Sequence, residues 1–296
     1  MPRPARRQAV ETTRGESAGG GFHIVAAIAK FAQGEETHAT MRTKIVIDSD
    51  HAGSKDFVTA IVQGRAEAVR TFCDQRNVVY LVRHGDEEWV VKRFKRPTLI
   101  NRFAYTCLRP SKAKRAYLYS YRYLAKGIDT ARSVAYAEVH RGGFFHTGYY
   151  ISEYTPLPDL TQVYDLDEGE RRALFRDFAA FTARMHEAGI IDMDYNVRNV
   201  LWRRTGDGHY RFTLVDINRT KFRSPRPKDC AMALTTNVAL DEFIDEYCRI
   251  RGIDRQRFDK LLQLGHKRLD RRFARRRRLR SIWHGIKRLF TRPKAD

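Results

Sequence analysis

The amino-acid sequence predicts an α+β fold in two parts, an antiparallel β-sheet followed by a mainly helical half. Short strand-like runs fall at 69–94 and again at 134–152, on either side of one helical stretch. From Glu168 the period lengthens to that of a helix, with Leu174, Phe178, Phe181 and Met185 at i, i+4, i+7 and i+11. Beyond that helix, residues 200–202 and 210–215 form one further pair of apolar, strand-like runs.

At 296 residues, 42% of them hydrophobic, the chain is long enough for two lobes with a core each. We place an N-lobe at 41–153 and a C-lobe at 154–264, flanked by a leader, 1–40, and a basic amphipathic tail, 265–296. The leader mixes Arg, Ser and Thr with Gly19-Gly20-Gly21 and sustains no period, as expected of a disordered segment or a mis-annotated start. Met41 opens a cleaner stretch. Residues 44–48 (KIVID) read as a strand and 56–69 (DFVTAIVQGRAEAV) as an amphipathic helix. Strands follow at 69–73, 78–83 and 88–94, the last two joined by the turn His84-Gly85-Asp86.

Residues 109–126 predict a helix, with Pro110 near its start and Gly127 as its stop. Two more strands, 134–139 and 149–152, flank His140-Arg141-Gly142-Gly143. Glu153-Tyr154-Thr155-Pro156 then reads as a hinge between the lobes. Helices at 168–188, 241–252 and 254–264 complete the second half. His186, at the end of the first of them, reads as a structural residue.

No apolar run approaches the length of a spanning helix, which predicts a cytosolic body. The four cysteines are widely spaced with no C-x-x-C, so they read as reduced thiols. The net charge of +21 is uneven: from His266 the tail carries thirteen Lys/Arg against two Asp. Within it Ile282, Trp283, Ile286, Leu289 and Phe290 fall on one helical face, a pattern that suits an anionic membrane surface.

The chemistry is concentrated at 189–222. Asp194 and Asn199 stand five apart, and Asp216 follows at the end of the second apolar run. Phosphoryl transfer to a hydroxyl needs a carboxylate to orient that hydroxyl and hard oxygen ligands for the cation that bridges the phosphates. Asp194 fits the first role, Asn199 and Asp216 the second. The spacing matches the protein-kinase catalytic loop, H-R-D-x-x-x-x-N followed by D-F-G, with Asp192 in place of the histidine and Asn218 in place of the glycine. The fold expected is therefore protein-kinase-like and bilobal, and Lys92, in Val90-Val91-Lys92, is the strand lysine that would hold nucleotide phosphates. Asp74-Gln75-Arg76-Asn77 stands where a glycine-rich loop would lie but has no glycine, which makes Arg76 and Asn77 candidates for phosphate contact. Glu153 and Thr155, in the hinge, are candidates for reading the adenine edge. The helix at 109–126 lacks the acidic residue that pairs with the lysine in protein kinases, and Asp216 is a possible substitute.

Together, residues 90–126, Gly127-Ile128-Asp129-Thr130, Tyr149-Tyr150-Ile151-Ser152 and Val215-Asp216-Ile217-Asn218-Arg219 resemble the lipopolysaccharide core kinase family, which includes Kdo kinases and heptose kinases. The resemblance covers about residues 70–225. It implies ATP, Mg²⁺ and transfer of the γ-phosphate to a sugar hydroxyl of the lipopolysaccharide inner core, at the inner face of the cytoplasmic membrane. A monomer bound peripherally to that face is the expected state. The family's loop commonly reads H-x-D-Y-x-x-G-N; this chain has Asp192 for the histidine and Arg198 for the glycine. Asp192 raises the negative charge beside Asp194 unless Arg198 neutralises it. Two alternatives follow from these departures and from the charge. One is a degenerate kinase that binds nucleotide or lipid without turnover. The other is a nucleic-acid-binding protein, against which the aromatic residues lie in core-like runs rather than among the basic ones.

Overall fold

The computed structural model describes residues 40–75, 77–235 and 241–290, with side chains as far as Leu279 and at Ser281. Its first part is a six-stranded antiparallel sheet made of β1 (Met41–Ile47), β2 (Arg70–Asp74), β3 (Val78–His84), β4 (Glu87–Arg93), β5 (Ser133–Arg141) and β6 (Phe144–Glu153). The strands lie in the order β1-β5-β6-β4-β3-β2. Alternation along each strand divides the side chains between two layers. Trp89 and Val91 of β4, with Tyr149 and Ile151 of β6, pack against Val58 and Ile61 of α1 (Lys55–Val62). Phe94 and Tyr150, from the opposite parity, meet Ala113, Ala116 and Tyr117 of α3 (Lys112–Leu124). Lys92 shares that parity and pairs in register with Tyr150, which aims it at the second half of the molecule rather than at α1.

In this first part three helical segments differ from the sequence expectation. The helix expected at 56–69 stops at Val62, because Gly64 takes up a left-handed conformation (φ +72°) that ends it. The helix expected at 109–126 begins at Lys112, capped by the Ser111 hydroxyl accepting from the Lys114 N–H at 3.1 Å. Ahead of it, 99–108 forms α2 (Leu99–Phe103) and one π turn (Ala104–Leu108), closed by the Arg109 N–H donating to the Ala104 carbonyl at 2.8 Å. No periodicity marks so short an element.

The second part packs around α4 (Glu168–Glu187). Its face of Leu174, Phe178, Phe181 and Met185 is buried as expected, against α6 (Asp241–Arg251) and the hairpin of β8 (Val200–Arg204) and β9 (Tyr210–Leu214). His186 is fully buried, its Nδ1 2.7 Å from the Tyr247 hydroxyl, and burial pushes its pKa down to about 3. It is a neutral core residue. Short strands β7 (Ile190–Asp192) and β10 (Thr220–Phe222) pair across the base of the hairpin. Where the sequence suggested a break after 264, one helix, α7 (Arg255–Phe290), runs through. A Cβ at Gly265 would clash with Thr235 Cγ2, so the glycine lets α7 lie close on the end of α5 (Pro227–Leu234). The apolar positions of the amphipathic tail, Ile282 onward, lie outside the described side chains. All four cysteines are free, and among the described residues no helix is long and apolar enough to cross a membrane.

Candidate active site

A cleft of about 790 Å³ lies between the sheet and the helical part. Val79 and Val90 supply apolar surface from the sheet, Leu201 from β8 and Ile217 from the turn after β9, while the strap 153–159 closes one side. Such a slot suits a planar base. Farther in, Lys92 reaches Asp216, Nζ to Oδ2 at 2.5 Å, with both side chains largely shielded from solvent. The carboxylate missing from α3 is thus supplied by the turn after β9. Asp216 Oδ1 also accepts from Asn218 Nδ2 at 2.5 Å. Asp216 is the one described non-glycine residue with positive φ, +58°, a conformation that Asp tolerates better than most residues and that costs stability.

Asn199 lines the same cleft. Its Nδ2 donates to the Asp194 carbonyl at 2.9 Å, leaving Oδ1 as the amide atom able to coordinate or accept. Asp194 is not part of the cleft lining; it is tied to it through Asn199, and its Oδ2 lies 3.2 Å from Nη1 of Arg219, which is outside that lining too. Behind it Asp192 is almost fully buried and accepts the Asp194 N–H at 2.8 Å. Burial pushes its pKa up to about 7, the Asp194 and Asp216 charges add to the rise, and the Asp194 N–H and Arg219 oppose it.

The donor set of Asp216 and Asn199, two hard oxygen ligands in a solvent-accessible cleft, fits Mg²⁺, which keeps most of its waters and takes few protein ligands. The arrangement of strand lysine, D-x-x-x-x-N loop and post-hairpin aspartate is a kinase geometry. The sequence model of the lipopolysaccharide kinase (Kdo/WaaP) family matches residues 62–235, more than half of the chain. The chain belongs to that family. It is a kinase, a phosphotransferase of lipopolysaccharide biosynthesis.

A solved structure described as WaaP in complex with acyl carrier protein is similar to this fold, with a TM-score of 0.52 and 18% identity over 77% of this chain and 98% of that one. Less similar are a gentamicin–APH(2")-IIa complex (TM-score 0.49, 13% identity, 84% and 97% covered) and a Rio2 kinase-ADP/Mg²⁺-phosphoaspartate complex from Chaetomium thermophilum (0.43, 13%, 86% and 87%). A comparison with curated protein sequences gives no match.

The structure brings Lys92, Asn199 and Asp216 together with the hinge residues Glu153 and Thr155 on one cleft. The Glu153 carboxylate is turned toward His51, at 4.0 Å from Nε2, and the Tyr154 N–H already donates to the Glu88 carbonyl. Asn77 lies elsewhere: it lines a second cavity, and its Oδ1 accepts from the Lys95 N–H at 3.3 Å. The Asn77 side chain is held by the chain just beyond β4, a contact that its place in the sequence does not show. Arg76 lies outside the described residues.

Two residues were missed as functional candidates. Arg219 is the cation beside Asp194, a role the sequence reading gave to Arg198, which instead lines the cleft. Its place three residues after Asp216, in Asp216-Ile217-Asn218-Arg219, was the available signal. Phe72, with its ring 5.9 Å from Tyr154, closes the outer end of the cleft; nothing in the local pattern of β2 distinguishes it.

Proposed function

We propose that this kinase transfers the γ-phosphate of ATP to a sugar hydroxyl, of Kdo or heptose, in the lipopolysaccharide inner core. The observation that carries the reading is the convergence of Lys92, Asp216 and Asn199 on one cleft from three distant segments. The two lobes expected from the sequence would then close on the nucleotide, with its base between Val79, Val90 and Leu201 and its phosphates toward Lys92.

Asp194 orients the acceptor hydroxyl and takes its proton as that oxygen bonds to the γ-phosphorus and the bond to the β-phosphate oxygen breaks, releasing ADP. Arg219 holds the Asp194 carboxylate in place. Asp216 and Asn199 would hold Mg²⁺, which when bound neutralises charge on the phosphates. Most of the rate then comes from positioning and charge stabilisation. The basic tail of α7 would dock on the anionic inner face of the cytoplasmic membrane, where such acceptors are assembled.

The test is labelled ATP with lipid A bearing one Kdo, or with the heptosylated core, followed by mass spectrometry of the product. One of these acceptors gains a single phosphate with the wild-type chain and none with Asp194→Ala or Asp216→Ala. Undiminished transfer by either folded variant would refute the assignment of roles. No transfer to either acceptor, despite ATP binding, would refute the substrate.

A further inference from the structure

Phe94 lines two cavities. One is the cleft; the other, of about 340 Å³, opens between the end of β4, α2 and the start of α3. The Lys92 ammonium stands 5.6 Å from the centre of the Phe94 ring and the Lys112 ammonium 5.8 Å. The second cavity is therefore next to the lysine that marks the phosphate end of the cleft.

Its lining is basic. Lys95, Arg96 and Lys112 contribute to it, and no acidic residue does among the described residues. More positive charge stands behind: Arg102 is 2% exposed, with Nε donating to the Phe145 carbonyl at 2.9 Å. Burial first, then Arg96 and Arg141, push the Arg102 guanidinium below its ordinary pKa, and burial with the same three arginines does likewise to His146. Like charges gathered around a concave, partly dehydrated space repel one another, and an anion in that space relieves the repulsion.

The remaining wall suits a sugar. Tyr105 and Phe145 meet edge-on at 5.3 Å, and Arg109 fixes this corner by lying 4.9 Å over Tyr105 while donating to Asn101 Oδ1 at 2.6 Å. The face of Tyr105 that Arg109 leaves uncovered can take the C–H face of a pyranose, and Thr98 and Asn101, although bonded to each other at 2.9 Å, keep further hydrogen-bonding capacity for its hydroxyls.

We propose that this cavity is a subsite that binds a saccharide through its phosphate or carboxylate, held by Lys95, Arg96 and Lys112 beside the phosphate end of the cleft. The use made of the bound sugar rests on the kinase reading above; the binding itself does not.

The test uses the full chain saturated with ADP and Mg²⁺, titrated calorimetrically with glucose 6-phosphate, glucuronate, glucose and inorganic phosphate. One or both anionic sugars bind, and which is tighter tells whether the site prefers phosphate or carboxylate; glucose and inorganic phosphate bind at least about tenfold more weakly. The double variant Lys95→Ala with Arg96→Ala loses about tenfold or more in affinity for the anionic sugar, with ADP affinity unchanged and a melting temperature no lower than that of the wild type. The proposal is overturned if neither anionic sugar binds this ADP-saturated chain, if inorganic phosphate binds as tightly, or if the double variant binds as the wild type does. Anion binding that persists while the transfer assay fails would sink the proposed reaction and leave the subsite standing.

Discussion

Asp194 and Asp216 flank the same hairpin, one before β8 and one after β9, yet the protein holds them in opposite ways. Asp216 is locked: its backbone sits at φ +58°, one carboxylate oxygen meets Lys92 and the other the Asn218 amide. Asp194 is held loosely, with Arg219 as its side-chain partner among the described residues and both groups a third to a half exposed. A fixed carboxylate with a strained backbone is suited to presenting oxygens to a cation in one geometry. A carboxylate at the end of a solvent-facing pair is suited to meeting an incoming hydroxyl and exchanging a proton with it.

The comparison breaks most sharply under substitution by asparagine, which tolerates the left-handed conformation and keeps the shape of either side chain. Asp216→Asn should weaken Mg·ATP binding as well as lower kcat, by about 10³-fold. Asp194→Asn should lower kcat as far while leaving Mg·ATP affinity within about twofold, since the lost group acts on the acceptor. Equal losses of nucleotide affinity in the two variants, measured by titration, would abolish the distinction. A smaller effect follows for Lys92→Met: about 10²-fold in kcat/KM for ATP, with the fold intact by circular dichroism. Arg219→Ala comes next, at about 10-fold in kcat with ATP binding unchanged, because Asp194 loses its orientation rather than its charge. Arg219→Lys should restore part of that loss; a lysine variant no better than alanine would argue against a positioning role.

The fold was largely legible in the sequence because its strands alternate and α4 carries an uninterrupted apolar stripe. Leu174, Phe178, Phe181 and Met185 are buried where the period put them. The candidate site was legible as a spacing: Asn199 and Asp216 flank one hairpin and line the same cleft, while Asp194 lies off that lining and is joined to it through Asn199. The partners of these residues were not legible. Which arginine neutralises Asp194 depends on how the turn after β9 curls back, and Arg219 lies 25 positions from Asp194 while Arg198 lies only four. Asn77 is a related case, since its contact with the Lys95 N–H joins positions 18 apart in the chain. The segment 99–108 carried no periodic signal because a single turn of α-helix followed by a π turn has no repeat to detect.

The smallest effect tests the third aspartate of this region, Asp192, on which the loop holding Asp194 rests. An unfolded Asp titrates near 3.8, while burial raises the folded group to about 7. A raised folded pKa means that the unfolded chain ionises first as pH rises. The contribution of Asp192 to stability is therefore fully present below about pH 4, declines as the pH climbs to about 7, and stays lost above that. Asp192→Asn keeps an oxygen to accept the Asp194 N–H and removes the titration. Without nucleotide or Mg²⁺, the variant should be close to wild type in melting temperature at about pH 4 and more stable at about pH 8, by a margin on the order of a few kcal/mol at most. Because both proteins share every other titrating group, their difference isolates this one. A gap that does not widen between the two pH values would mean that Asp192 is already ionised in the folded loop, and that Arg219 neutralises it as fully as it does Asp194.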